Sequence, residues 1–242
     1  MTEIQMLFER LREALKEQAV RHGFMQEQVS IRVRPMTPEE AIGRPDDRDY
    51  PIVKGREWIM EASFKTAKGH AFSDEVGDST CTIKGLVERV PETTRERAEF
   101  IAALNAVYRH LGLCDRTVHC RDNEPRDCAQ GLAARIDEGL KVLLVGFQPR
   151  MLEFLSGRNP LRVVDLDPDN IGATKFGAVI SDPARTREEI EWCDVILATG
   201  STIVNGTLPD FLETGKHVIL YGVTISAAAE ILGLDRYCQC GH

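Results

Sequence analysis

The densest group of hydroxyl, amide and glycine residues in the chain lies at residues 199–207, which we call the strand-end turn. Its members are Thr199, Gly200, Ser201, Thr202, Asn205, Gly206 and Thr207. The apolar run at residues 194–198 predicts a buried parallel strand, and residues 208–214 predict a short helix. In open α/β sheets, ligands bind beyond the carboxyl ends of the strands, and a helix N-terminus there attracts anions. The turn therefore predicts a ligand site; the alternative is that Asn205 or Thr207 only caps the next helix.

A second candidate site begins at Gly146, where another predicted strand passes into a helix. The three residues after Gly146 are not glycines, so the fingerprint of a dinucleotide-binding turn is absent and a plain strand-to-helix turn is the alternative. Asp165 and Asp167 follow the next strand, about 20 residues later, where nucleotide-binding sheets place the acidic residue that holds ribose hydroxyls. The same aspartates are also ordinary turn formers.

The first half of the chain contributes a polar strand face and one amide on a largely apolar helix. Glu61, Ser63 and Lys65 alternate with apolar residues, and Lys68 follows closely. Such a face is either exposed to water or lines a cleft, where a lysine would neutralise an anionic ligand. Asn105 lies on the buried side of its predicted helix, so it needs a hydrogen-bonding partner, either in neighbouring backbone or in an interdomain site.

Two segments carry soft metal ligands, and they lie far apart in the chain. They contribute His119, Cys120, Cys128, Cys238, Cys240 and His242. Neither segment alone has the spacing of a zinc motif, and the sequence does not decide whether they share a metal. Cys81, Cys114 and Cys193 are assigned to the core, because free cysteine is a common small core residue.

The elements that must position these residues differ between the two halves. In the second half, short apolar runs near residues 140–145, 162–166, 178–180, 194–198 and 218–221 alternate with helices and predict a parallel sheet. The first half reads as a helix, a strand meander and a second helix at residues 95–111, which predicts an α+β unit. The chain is therefore predicted to be α/β, with a smaller domain at residues 1–114 and a parallel-sheet domain at residues 115–242 that includes a linker helix.

Composition excludes several classes of function. The chain has 242 residues, 43% of them hydrophobic and 28% charged, with a formal net charge of −8. No basic stripe of a nucleic-acid binder and no apolar run of membrane-spanning length is present, so neither nucleic acid nor membrane is an expected partner. The odd number of cysteines and the lack of an N-terminal signal predict a cytoplasmic protein, and a homodimer is expected only on the general frequency of dimers.

Five segments form one set of motifs: residues 61–65, 68–69, 104–106, 145–147 and 199–207. This set resembles the putative heavy-metal-chelation family. The resemblance implies an enolase N-terminal-like domain followed by a Rossmann-like domain, and one pocket between them that gathers Glu61, Asn105 and the strand-end turn. It leaves a transition metal or a metal chelate as the implied cofactor and assigns no cysteine as a ligand.

Three functions remain open on the sequence. The first is a protein that binds a small anion or a metal chelate in the cleft, with Lys65 or Lys68 neutralising charge. The second is an enzyme with a nucleoside-type cofactor, a transferase or an oxidoreductase, in which Asp165 or Asp167 binds ribose and Glu61 or Lys65 does acid–base work. The third is a thiol-based metal carrier that uses the two cysteine segments.

Overall fold

The computed structural model describes residues 1–32, 39, 43–47, 49–50, 58–73, 75 and 77–242. Among these residues the helices are α1 (Glu3–Arg21), α2 (Ile83–Glu88), α3 (Thr94–His110), α4 (Glu124–Ala133), α5 (Pro149–Leu155), α6 (Thr186–Trp192), α7 (Thr202–Asn205), α8 (Pro209–Leu212) and α9 (Ser226–Leu232). A short 3-10 helix, Pro183–Arg185, precedes α6. The segment from Pro35 to Pro51, whose Pro, Gly and Asp content predicts an exposed loop, falls largely outside the described residues.

The smaller sheet is antiparallel and is built by the first half of the chain. Among the described residues its strands are β1 (Gln28–Arg32), β2 (Trp58–Phe64), β3 (Ala67–Ser73) and β4 (Ser79–Thr82), in the order β3-β2-β1-β4. The predicted meander is therefore wrong, because β4 pairs with β1 rather than with β3. The turn between β2 and β3 lies at Lys65, which has a φ of +53°, and not at residues 67–69, which belong to β3.

The larger sheet is mostly parallel and is built by the second half. Its described strands are β5 (Val142–Val145), β6 (Leu161–Val164), β7 (Thr174–Lys175), β8 (Ala178–Ser181), β9 (Val195–Thr199), β10 (His217–Tyr221) and β11 (Arg236–Tyr237). Their order is β11-β10-β9-β5-β6-β8-β7, and only β7 runs antiparallel to its neighbour. The predicted α/β class is thus confirmed, since the five apolar runs form neighbouring parallel strands, of which β5 and β9 at the centre are buried on both faces.

Helix boundaries follow the capping residues that the sequence offers. In the sequence, Thr2 with Gln5 and Thr93 with Glu96 each have the spacing of a capping box, which predicts a helix start. Both capping boxes are present in the structure, at the starts of α1 and α3. Two expected helices differ from the structure. The helix start predicted at Asn123 and Pro125 is the start of α4, but α4 ends at Ala133 rather than at the predicted Ile136. The helix predicted at residues 208–214 is the single turn α8.

The two sheets share one hydrophobic core through α3. Phe64 of β2 and Ile101 of α3 belong to the same buried cluster as Ile196 of β9 and Leu220 of β10. Gly69 of β3 allows the closest approach, because a Cβ there would lie 2.4 Å from the Ala102 carbonyl oxygen of α3. The core therefore fixes the strand ends of the parallel sheet relative to the first half.

Within the described part of the chain, no helix combines the length and the apolar character that crossing a membrane requires.

Candidate functional site

A cavity of about 660 Å³ lies at the carboxyl ends of four neighbouring parallel strands, β10, β9, β5 and β6. This is the position at which open α/β sheets bind their ligands. The strand ends contribute Gly146, Asp165, Thr199 and Gly222. The first half contributes Tyr50, Phe72 and Thr94, and the segment between the sheets contributes His119, Cys120 and Cys128. The cavity is therefore built from both halves of the chain.

The strand-end turn forms one wall, and its own hydrogen bonds fix its shape. The Thr202 hydroxyl donates to the Thr199 carbonyl at 2.8 Å, and the Thr207 N–H donates to the Thr202 carbonyl at 2.9 Å. Gly200 lies against α9, where a Cβ would come within 2.9 Å of the Ile225 nitrogen. Thr199, Gly200, Ser201, Thr202, Asn205 and Thr207 all line the cavity, as predicted for a ligand site.

Gly206, the remaining glycine of the strand-end turn, has a structural role. Gly206 is the left-handed cap that ends α7, with a φ of +81°, and it packs on the Arg97 guanidinium rather than on the cavity. Because α7 is a single turn of four residues, the anion attraction expected from a helix N-terminus at this strand end is not supported.

Asn205 is the least committed polar side chain of the wall. It is exposed, it lines the cavity, and its amide bonds to no other residue that the structure describes. The Ser201 hydroxyl has one weak contact, accepting from the Thr199 hydroxyl at 3.4 Å. These two side chains therefore retain hydrogen-bonding capacity for a ligand.

Gly146 and Asp165 lie at the strand ends where the sequence predicted them, but the Asp165 carboxylate is hydrogen-bonded within the protein. Gly146 adopts a φ of +86° and lies against Thr199. Asp165 accepts from the Phe147 N–H at 2.6 Å, from the Asp167 N–H at 2.9 Å and from the Asn170 amide at 3.1 Å. These bonds tie two strand-end turns together and occupy both carboxylate oxygens, so the structure gives Asp165 a positioning role.

Glu61 reaches the cavity only indirectly, through two histidines. The His119 N–H donates to His70 Nδ1 at 3.2 Å, so the ring proton of neutral His70 lies on Nε2 and donates to Glu61 at 3.1 Å. The hydrogen bond from His70, aided by Lys68 at 2.9 Å, lowers the pKa of Glu61 to about 2. Glu61 is therefore a fixed carboxylate that holds the backbone of the cavity wall at His119.

His119 itself faces the cavity as a neutral ring. Its Nδ1 lies 2.6 Å from the Cys120 carbonyl oxygen, which can only accept, so Nδ1 carries the proton and Nε2 keeps a lone pair. Burial lowers the pKa of His119 to about 4. The edge of Phe72 packs on the ring, with centroids 5.6 Å apart. Sequence reasoning treated His119 only as a soft ligand and missed this cavity position.

Lys65 and Lys68 do not reach the cavity. Lys65 forms an ion pair with Glu27 at 2.7 Å and lies over the ring of Phe24, because the β2–β3 turn points away from the strand-end turn. Lys68 is bound to Glu61. Of the residues that the structure describes, no lysine or arginine lines the cavity, whereas Asp165, Asp167 and Asp210 do. The expected neutralisation of an anion by a first-half lysine is thus not supported.

Asn105 joins the two halves and is fully buried. Its Nδ2 donates to the carbonyls of His70, Val223 and Thr224 at 3.0, 3.2 and 3.0 Å, and its Oδ1 accepts from the Ala227 N–H at 2.9 Å. The sequence left open whether Asn105 bonds to neighbouring backbone or belongs to an interdomain site. The structure shows the bonds to backbone, and Asn105 is not among the residues that line the cavity.

Tyr50 lines the cavity and could not be singled out from the sequence. Asp47 and Asp49, its near neighbours in the chain, bind the buried Arg150 of α5 at 3.0 and 2.6 Å. Burial raises the pKa of the Tyr50 hydroxyl well above its usual range, so this group is a neutral donor. The position of Tyr50 depends on this ion-pair network, which joins residues about a hundred positions apart and therefore leaves no motif in the sequence.

Three of the cysteines line the cavity beside His119, namely Cys120, Cys128 and Cys238. They come together because the backbone of His242 pairs with that of Val118 through two hydrogen bonds of 2.9 Å. In the described part of the chain, no three His, Cys, Asp or Glu side chains already converge in a metal-binding arrangement. The wall therefore carries grouped thiols that are not yet oriented as a ligand set.

Comparison with known proteins finds a family match within the second half of the chain. Residues 129–234 match the model of the DUF364 family, which is described as putative heavy-metal chelation, and the resemblance seen in the motifs is confirmed. No curated protein matches the chain.

Solved structures support the fold over most of the chain. The chain is similar to a protein of unknown function from Pyrococcus horikoshii that belongs to the DUF364 family, at 16% identity and a TM-score of 0.57 over 90% of this chain and 79% of that one. The chain is also similar to a protein of unknown function from Desulfitobacterium hafniense that belongs to the DUF364 family, at 17% identity and a TM-score of 0.50 over 72% of each chain. These identities establish the shared fold alone.

Proposed function

Because residues 129–234 match the heavy-metal-chelation family, we propose that the protein binds a metal chelate in the cavity at the carboxyl ends of the parallel strands. By this we mean a transition-metal ion held by a small organic chelator. The cavity has the volume of a small-molecule site, which ranges from about 300 to 1,000 Å³.

The observation that carries the proposal is that the cavity lining combines three chemically different kinds of side chain. Ser201 and Asn205 offer hydrogen-bonding groups for the polar substituents of a chelator. Phe147, Met151 and Phe211 offer apolar surface for its carbon skeleton. The third kind comprises the thiols of Cys120, Cys128 and Cys238 and the lone pair of His119, and such soft and borderline donors suit a transition metal.

The charge of the lining favours a chelate over a free anion. The charged residues that line the described cavity are aspartates, and no cation there would offset the charge of a phosphate or a carboxylate. A bound metal ion supplies positive charge within the ligand itself, which relieves this repulsion.

The enzyme with a nucleoside-type cofactor is the weaker candidate. Asp165, the expected ribose ligand, already accepts three hydrogen bonds from the protein. Glu61, the expected acid–base residue, has a pKa lowered to about 2 by His70, so it is a poor base near neutral pH.

Isothermal titration calorimetry tests the proposal, with the histidine complexes of Cu²⁺ and Zn²⁺ as probes and with histidine alone and AMP as comparisons. We expect the complexes to bind and the double variant Ser201→Ala with Asn205→Ala to bind them at least about tenfold more weakly, because two hydrogen bonds are lost. Gln130→Ala, which removes an exposed amide of α4 outside the cavity, is the matched control.

The same titrations can contradict the proposal. Equal affinity of the wild type and the double variant would remove the strand-end turn from the site. Binding of AMP that is lost in Asp165→Asn would instead favour the nucleoside-dependent enzyme.

A further inference from the structure

A short piece of the first half, described at residues 43–47 and 49–50, lies on the second half of the chain. The Asn123 side-chain amide donates to Asp46 Oδ2 at 2.9 Å, and the Asp46 N–H donates to Asn123 Oδ1 at 3.1 Å. Tyr50, its last described residue, is only 6% exposed and lines the cavity. We call these residues the Tyr50 segment.

Arg150 of α5 makes the most deeply buried contact with the Tyr50 segment. Its side chain is 7% exposed, and its guanidinium donates to Asp47 Oδ1 at 3.0 Å and to Asp49 Oδ2 at 2.6 Å. Removing one partner of a buried ion pair leaves an uncompensated charge, which is strongly destabilising. The two ion pairs therefore fix the segment immediately before Tyr50.

Tyr50 has little other support among the residues that the structure describes. It belongs to neither of the two buried hydrophobic clusters, and its hydroxyl bonds to no other described residue. A tyrosine hydroxyl in a buried position usually finds a hydrogen-bonding partner. Because burial raises the pKa of this hydroxyl well above its usual range, it is a neutral group that can donate.

We propose that the Tyr50 hydroxyl donates a hydrogen bond to an oxygen atom of the bound chelator, and that Arg150 is the positioning residue that holds Tyr50 in the cavity wall. The ligand in this inference rests on the proposed function. Chelators carry carboxylate or carbonyl oxygens, which only accept hydrogen bonds. Since no described lysine or arginine lines the cavity, such oxygens depend on neutral donors, and Tyr50 adds one from the first half.

Arg126 of α4 provides a contrast within the same network. Its guanidinium lies 3.1 Å from Asp47 and 3.3 Å from Glu153, but its side chain is 39% exposed. Ion pairs that are open to solvent contribute little to stability. We therefore expect Arg150, and not Arg126, to control the position of Tyr50.

Nitration of ligand-free protein with tetranitromethane tests the positioning role, with the modified tyrosines assigned by mass spectrometry. Tyr50 should react at least about tenfold faster in Arg150→Met than in the wild type, because its segment is released. Tyr108, buried in the core, should stay protected and so exclude global unfolding. The control Arg162→Met breaks an ion pair with the buried Glu189 outside the cavity lining and should leave Tyr50 protected.

A second variant reaches the same ion pairs from their more exposed partners. Asp47→Ala with Asp49→Ala leaves Arg150 bound to Glu153 at 2.6 Å, so the buried guanidinium keeps a partner. This variant should also release Tyr50, and it decides the question if Arg150→Met unfolds. Nitration of Tyr50 at the wild-type rate in this variant would overturn the positioning role.

Calorimetry with the histidine complex of Cu²⁺ tests the contact with the ligand through a double-mutant cycle. Tyr50→Phe should weaken binding by up to about tenfold, because one hydrogen bond is lost. Arg150→Met should weaken it at least as much, and the double variant should bind like Arg150→Met alone, since a released hydroxyl contributes nothing. Losses that simply add would show that the two residues act separately and would overturn the inference.

A conservative substitution sharpens the cycle. Arg150→Lys should recover part of the affinity that Arg150→Met loses, because an ammonium group keeps the charge but cannot form the paired contacts of a guanidinium. Arg126→Met should bind the complex as the wild type does.

The outcomes also separate this inference from the proposed function. Binding that is unchanged in Tyr50→Phe but lost in the double variant Ser201→Ala with Asn205→Ala would overturn only the role of Tyr50. No binding of the complex by the wild type would overturn the proposed function, whereas faster nitration of Tyr50 in Arg150→Met would still support the positioning role of Arg150.

Discussion

Asn105 and Asn205 are the same residue type placed in two regions of opposite character. Asn105 lies fully buried in α3, and its side chain makes four hydrogen bonds that join the antiparallel sheet to the β10–α9 connection. Asn205 lies exposed at the strand-end turn, and its side chain bonds to no other described residue. The first amide is used in building the protein, and the second remains available to a ligand.

The same contrast extends to the neighbouring polar residues. Around Glu61, carboxylate, amine and imidazole groups are bound to one another, whereas Ser201 at the strand-end turn has only one weak side-chain contact. A high density of polar residues therefore does not mark a binding site. What marks it is hydrogen-bonding capacity that the fold leaves unused.

The largest effect should come from Asn105→Ala. The His70 and Thr224 carbonyls and the Ala227 N–H would lose this buried partner, while the Val223 carbonyl would keep its bonds from Ser226, so we expect the free energy of unfolding to fall by about 4 kcal/mol. Urea denaturation measures the loss. Asn205→Ala should change the free energy of unfolding by less than about 0.5 kcal/mol, and equal effects of the two substitutions would break the comparison.

A close second should be Gly69→Ala, which tests the contact of β3 with α3. The new Cβ would lie 2.4 Å from both the Ala102 oxygen and the Ala106 nitrogen, which are backbone atoms and cannot turn aside. We expect a loss of about 3 kcal/mol in urea denaturation. Gly85→Ala in α2 is the matched control and should be neutral or stabilising by up to about 1 kcal/mol, since its Cβ meets only the Thr82 hydroxyl at 3.5 Å.

The smallest effect should be that of Glu61→Gln, and it should depend on pH. The hydrogen bond from His70 lowers the pKa of Glu61 from 4.5 to about 2 in the folded protein. A lowered carboxyl pKa stabilises the fold above about pH 4.5, and this contribution is lost as the pH falls towards 2.

The wild type should therefore exceed Glu61→Gln by about 1 kcal/mol at neutral pH, and the difference should shrink steadily below about pH 4.5. Urea denaturation across this range gives the difference, and Glu13→Gln on the exposed side of α1 is the control. A difference that persists at pH 2 would show that Glu61 acts by shape rather than by charge.

The sequence predicted the parallel sheet well because its strands are short apolar runs with local boundaries. Strands β5, β6, β8, β9 and β10 all lie where such runs occur. For the antiparallel sheet it predicted the strands but not their order, since the pairing of β1 with β4 joins distant segments and carries no local signal. The turn at Lys65 was missed because a positive φ at a lysine is unusual.

The candidate site was predictable only in its local part. The strand-end turn could be recognised because strand, small residues and hydroxyls follow one another in the chain. The role of Lys65 could not, since its direction depends on a two-residue turn and on Glu27. Whether the two cysteine segments meet could not be decided from the sequence, because their approach depends on the pairing of Val118 with His242 across the fold.

Arg97 gives the cavity a mechanical property. Its Nε donates to the Val204 carbonyl at 2.6 Å and its Nη1 to the Glu92 carbonyl at 2.7 Å, so α3 holds the end of α7 in place. Because α3 holds the strand-end turn from outside the cavity, this wall keeps its shape whether or not a ligand is bound. A ligand that matches this shape loses little binding free energy to ordering of the wall, and a ligand that does not match it binds weakly.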